Sequence, residues 1–133
     1  MSRLLLDTTF LIDAERSGAS LDQVIGDDDE VAIAALTIAE LLVGVLLADQ
    51  TRRSGREQFI DEIRATIPVI DYDATVAASH AQLLVAVRRQ GRPRGAHDLI
   101  IAATANATQR EVVSADASTY QGLPGVSVRL HRT

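Results

Sequence analysis

The chain has no cysteine and no lysine. The first absence excludes a disulfide framework and thiolate zinc sites, and fits a reducing compartment most simply. The second makes every strong side-chain cation a guanidinium. Histidine is scarce too, and His80, His97 and His131 are too scattered along the chain to form a zinc motif. Long apolar runs are also missing. The leucines that precede Asp7 fall far short of a signal-peptide core or a membrane span, so the expectation is a soluble, cytoplasmic protein with no membrane contact. No internal repeat, low-complexity tract or linker interrupts the sequence.

What is present is an apolar, acidic chain. Its 133 residues, 47% of them hydrophobic, predict one compact domain over residues 1–133 with a real core. A net charge of −5 argues at first sight against a polyanionic partner, because nucleic-acid binders usually carry a basic footprint. The distribution matters more than the sum. Several acids fall in the run Asp27, Asp28, Asp29, Glu30, whereas arginine gathers at Arg52, Arg53, Arg56 and again at Arg88, Arg89, Arg92, Arg94. The second cluster reads either as a solvated helix end, where cations complement the macrodipole, or as a surface that contacts phosphate. Arg92 and Arg94 lead directly into the segment of Asp98.

Pattern along the chain alternates short apolar runs with helical stretches. Arg3 to Leu6 predicts a strand, after which Asp7, Thr8 and Thr9 offer capping groups for a helix opening at Phe10. Leu21 to Ile25 predicts a small helix, Gly26 to Glu30 a turn, and Val31 to Ala34 a strand. An apolar helix follows from Leu36 to about Ala48, then a surface helix over residues 52–66 and a brief strand from Pro68 to Ile70. Asp73 to Gln90 predicts a long amphipathic helix that Gly91, Pro93 and Gly95 bring to an end. Ala96 to Thr108 is an alanine-rich helix, Glu111 to Ser114 a strand, and Val126 to Leu130 a last strand. Such alternation predicts an α/β three-layer sandwich with a mainly parallel sheet of four or five strands, whose ligands bind at the carboxyl ends of the strands.

Four acids sit where an apolar run gives way to a helix or a loop: Asp7, Glu40, Asp98 and Asp116. Each has a structural explanation of its own. Asp7 suits an N-cap, and Thr37 with Glu40 matches a capping box. Asp98 would favour the macrodipole in the first turn of its helix, and Asp116 fits an Asx-turn. Their joint placement on one sheet edge is a separate matter, since four independent caps need not share it. Crowded carboxylates raise one another's pKa unless a cation joins them, which makes Mg²⁺ or Mn²⁺ the expected occupant. Thr8, Thr9 and Ser114 are placed to hydrogen-bond to the carboxylates or to water, and His97 reads as a hydrogen-bonding neighbour more than a ligand. The stripe Leu41, Leu42, Val45, Leu46 serves as core or, given its breadth, also as interface.

Four strings carry a family resemblance: Leu4 to Asp13 around Asp7, Leu36 to Leu41 around Glu40, His97 to Ala105 around Asp98, and Val112 to Asp116. In order and spacing they resemble the PIN-domain ribonucleases, above all the VapC-type toxins of bacterial toxin-antitoxin pairs. The resemblance covers the whole chain. It implies a PIN-like fold and an endoribonuclease dependent on Mg²⁺ or Mn²⁺, frequent homodimers, and a cognate antitoxin that blocks the active site. Carried over residue by residue, Asp7, Glu40, Asp98 and Asp116 align with the acidic quartet that the resemblance implies acts in catalysis and metal binding, and Ser114 stands at the position of the family's usual Thr or Ser. Thr9 stands where the family often has Asn or Ser, and Tyr120 lies further from Asp116 than the usual aromatic.

The chemistry then expected is hydrolysis of RNA phosphodiester bonds by metal-activated water. Asp7 and Asp98 would bind the principal ion, with Asp116 and Glu40 completing its shell or holding a second one. Thr9, Ser114, Arg92 and Arg94 would assist with substrate. Two other readings compete. A phosphoacceptor or phosphatase-like α/β domain also places acids at strand ends, but those families rely on a lysine that is absent here. A non-catalytic PIN binding module is the other, and the intact quartet argues against it.

Overall fold

The computed structural model describes residues 2–18 and 25–131. The small helix expected from Leu21 falls almost entirely outside them. The central strand, β1 (Arg3–Leu6), carries Leu4, Leu5 and Leu6 fully buried. A strand with no polar alternation must be covered on both faces, as strands of parallel α/β sheets are. After α1 (Thr8–Ser17) come β2 (Glu30–Ala34), α2 (Ala35–Leu47), α3 (Gln50–Thr66) and β3 (Val69–Ile70). The second half runs α4 (Ala74–Gln90), α5 (Ala96–Ala107), β4 (Glu111–Ser114), a short 3-10 turn (Ala117–Tyr120) and β5 (Val128–Leu130).

The five strands pair in the order β3-β2-β1-β4-β5, and every pairing is parallel. Alternate residues of the inner strands feed two cores. Leu5, Ala32 and Val112 face α4 and α5, where they meet Leu83, Leu99 and Ala102. Leu4, Leu6, Ile33 and Val113 face the other way, toward Phe10, Leu41 and Ile63 of α1, α2 and α3. Helices on both faces of one parallel sheet make the expected three-layer sandwich. The last strand is shorter than predicted, because the Val126 N–H turns back to the Leu123 carbonyl before the ladder begins.

Chain order along the sheet reverses between β1 and β4. This is the switch point, where the loops leave in opposite directions and open a crevice at the strands' carboxyl ends. Asp7 follows β1 directly and Asp116 follows β4 by two residues.

One local expectation is overturned. Thr37 and Glu40 do not make a capping box. The N-cap of α2 is Ala34, which has no side chain to offer, so Thr37 is already the third helical residue. Its buried hydroxyl lies 3.2 Å from that of Thr8. Further along α2, Leu41 and Val45 are buried, but Leu46 and Leu47 are 70% and 81% exposed, and Leu42 and Val43 are exposed beside them. The apolar stripe thus splits between core and surface. No described helix is long and apolar enough to cross a membrane.

Candidate active site

Asp7 is the most deeply set of the four acids, with 2% of its surface exposed. It does cap α1, since Oδ1 accepts from the Phe10 N–H at 2.9 Å, and the same oxygen accepts from the Thr9 hydroxyl at 2.8 Å. Oδ2 accepts from the Tyr120 hydroxyl at 2.9 Å. A carboxylate oxygen has two in-plane acceptor positions. Both on Oδ1 are therefore filled, and one on Oδ2 remains to meet a further ligand.

Glu40 enters from the second turn of α2, half-buried. Its Oε1 accepts from the Thr8 hydroxyl at 2.7 Å, and its Oε2 lies 3.4 Å from Nδ1 of His97. The Thr8 contact explains why Glu40 faces the crevice, because α1 and α2 pack side by side on one face of the sheet. His97 takes the hydrogen-bonding role expected of it.

Asp98 is the third residue of α5, whose cap Gly95 supplies no side chain. Among the described residues no donor hydrogen-bonds to its carboxylate. Burial first, then Glu40, Asp7 and Asp116, push its pKa above the ordinary carboxylate value, while His97 opposes them. All four acids therefore share one electrostatic neighbourhood, although they belong to four separate segments. Asp116 is exposed and makes the expected Asx-turn, with Oδ1 accepting from the Ser118 N–H at 3.2 Å and the Ser118 hydroxyl at 2.6 Å.

Ser114 is buried at the end of β4. It accepts from the Asp116 N–H at 3.0 Å and lies 3.2 Å from the Thr9 hydroxyl. Thr9 also accepts from the Ala115 N–H at 3.2 Å. Because Thr9 donates its single hydrogen to Asp7, the pair Thr9 and Ser114 links the ends of β1 and β4 and fixes the spacing between their acids.

The arginines divide. Arg94 donates from its guanidinium to the carbonyls of Thr119, at 2.9 Å, and Gln121, on either side of Tyr120. It holds the loop that brings the phenol to Asp7. Arg92 is exposed. A cavity of about 170 Å³ opens beside Glu40, walled by Ile12, Leu41 and Ile60 with Arg16 and Arg56 at its margin. Sequence reasoning noticed Tyr120 but not its bond to Asp7, and it read Gly95 only as a helix stop. No local pattern could reveal either, since each depends on a contact made by folding.

Among the described residues, no three acids or imidazoles are drawn together as a ready-made metal cage. Mg²⁺ does not need such a cage. It commonly takes one or two carboxylates and completes its octahedron with water and substrate phosphate. An all-oxygen donor set with free positions on Asp7 and Asp98 fits such an ion.

The family model described as PIN domain matches residues 4–121. The chain is similar to Ribonuclease VapC5 of Mycobacterium tuberculosis, 34% identical over 84% of this chain and 82% of that one. It is similar to the tRNA(fMet)-specific endonuclease VapC of Shigella flexneri, 27% identical over 95% of this chain and 96% of the relative. Among solved structures, it resembles a chain of VapBC-5 from Mycobacterium tuberculosis, a member of the VapBC family of toxin-antitoxin systems. There the TM-score is 0.81 at 28% identity, covering 98% of this chain and 100% of the other.

Proposed function

Because the chain belongs to the PIN domain family, we propose that it is a Mg²⁺- or Mn²⁺-dependent endoribonuclease and the toxin of a type II toxin-antitoxin pair. The observation that carries this reading is the convergence of Asp7, Glu40, Asp98 and Asp116 from four segments onto one crevice, where each of the other three acids raises the pKa of Asp98. Relatives named as ribonucleases match along nearly the whole chain, which supports one catalytic domain over residues 1–133.

In this proposal Asp7 and Asp98 hold the principal ion, and Glu40 and Asp116 complete its surroundings. When bound, the ion would supply an activated water and neutralise charge that grows on the phosphoryl oxygens. Asp7 contributes a fixed direction, because three donors hold its carboxylate. Glu40, tied to Thr8 on one oxygen and near His97 on the other, is placed to accept a proton or orient water. Held by these acids, such a cation would also offset the negative potential that repels RNA. Arg92, exposed at the edge of the Asp98 segment, would contact the phosphate backbone, whereas Thr9, Ser114 and Arg94 assist by holding the site.

An antitoxin that covers the crevice and a second copy forming a homodimer are the proposed partners, and a cytoplasmic location follows from that role. The exposed Leu42, Val43, Leu46 and Leu47 supply apolar surface for one of them. Purified Asp7→Asn and Asp98→Asn proteins should stay folded and lose RNA cleavage in the presence of Mg²⁺. Undiminished cleavage by either would refute the assignment.

A further inference from the structure

The geometry points to Gly95 as a positioning residue whose missing side chain is what lets the Asp98 carboxylate occupy the crevice. This inference rests on the metal-site reading above and assigns a role to a residue outside the acidic quartet.

A Cβ built on Gly95 would stand 2.6 Å from Oδ2 of Asp98, 3.4 Å from its Cγ and 3.9 Å from its Cβ. The first distance is shorter than real Cβ contacts tolerate, so any side chain at this position must displace the carboxylate. Backbone conformation does not explain the glycine. Its φ of −61° and ψ of 136° are open to every residue, and Ser, Asp or Asn would cap the helix better. The lack of a Cβ therefore serves what lies above it.

Asp98 occupies the helical position from which an acid often turns back to bond the N-cap N–H. Here no such bond forms among the described residues. The carboxylate lies over the Gly95 backbone instead, within the influence of Glu40, Asp7 and Asp116. An added methyl group would force the carboxylate out of this place over the Gly95 backbone. Metal affinity would then fall although all four acids remain.

The test uses the full chain and three proteins: wild type, Asp98→Asn and Gly95→Ala. Calorimetric titration with Mn²⁺ should show binding by wild type, loss of binding by Asp98→Asn, and affinity reduced roughly 10- to 100-fold in Gly95→Ala, the usual cost of disturbing a group that orients a ligand. Thermal unfolding of Gly95→Ala in EDTA should be no easier than that of wild type, since alanine fits this backbone and restricts the unfolded chain. A crystal structure of the variant should place the Asp98 carboxylate in a different rotamer. Wild-type affinity in Gly95→Ala, with Asp98→Asn inactive in binding, would overturn the inference and leave the metal site standing. A variant unfolded in EDTA would also overturn it, because the glycine would then be needed for folding itself. Failure of wild type to bind Mn²⁺ would remove the metal site and this role together.

Discussion

The Tyr120 hydroxyl donates to Oδ2 of Asp7 at 2.9 Å, closing a contact between residues 113 positions apart. Both groups are buried, at 2% exposure each. Burial and the neighbouring Asp7 push the Tyr120 pKa upward, so the phenol stays protonated and remains a donor. Tyr120→Phe keeps the ring's packing and removes that donor from a buried anion. Hydrogen bonds to charged groups contribute about 1.5–3 kcal/mol, so the variant should be less stable by about that much in the absence of metal. Urea denaturation should report it as a lower midpoint at unchanged slope. A midpoint equal to wild type would mean that the phenol does not support Asp7.

Asp98 makes the metal-free protein sensitive to pH. Its folded-state pKa lies above the ordinary 3.8 because of burial and then Glu40, Asp7 and Asp116. Between those two values the folded state keeps a proton that the unfolded chain has released. Stability from this group is therefore fully present below 3.8 and is lost as pH rises through the folded-state value. Asp98→Asn has no charge to develop. In EDTA it should be more stable than wild type at neutral pH, with the advantage vanishing below 3.8. Saturating Mg²⁺ should reverse the order, stabilising wild type more than the variant. An advantage that persists unchanged into acid would contradict the electrostatic account.

Arg92 and Arg94 look equivalent in sequence and should behave differently. Arg94→Ala removes the bonds to the Thr119 and Gln121 carbonyls and should lower stability by about 1–2 kcal/mol. Arg92→Ala, at an exposed position, should change stability by less than about 0.5 kcal/mol. In an Asp7→Asn background, expected not to cut RNA, Arg92→Ala should weaken whatever RNA binding remains and reduce its salt slope by about 0.7. An unchanged slope would exclude a phosphate contact by Arg92.

Much of the architecture could be read from local pattern, and the reason is physical. Leu4 to Leu6 is continuously apolar because β1 is covered on both faces, and a cap such as Asp7 acts within three residues of itself, although the Asp49 cap starts α3 two residues before the predicted position 52. Thr37 and Glu40 mark where such reasoning stops. Their spacing satisfies a capping box, yet the helix begins early enough that Thr37 turns to Thr8 and Glu40 accepts from Thr8. Which partner wins depends on where α1 lies, and that is set by packing across the sheet.

The sequence by itself determined most of the segments that become strands and helices, and it put Asp7 and Asp116 just past strand ends and Glu40 and Asp98 in the first two turns of helices. Periodicity and capping are short-range and need no knowledge of the distant chain. Only the tertiary structure decided that Tyr120 would hold Asp7, that Arg94 would clamp the loop behind it, and that Gly95 would leave room for Asp98. Those contacts exist because strand order reverses between β1 and β4 and brings remote loops together, an outcome of burying two apolar faces at once.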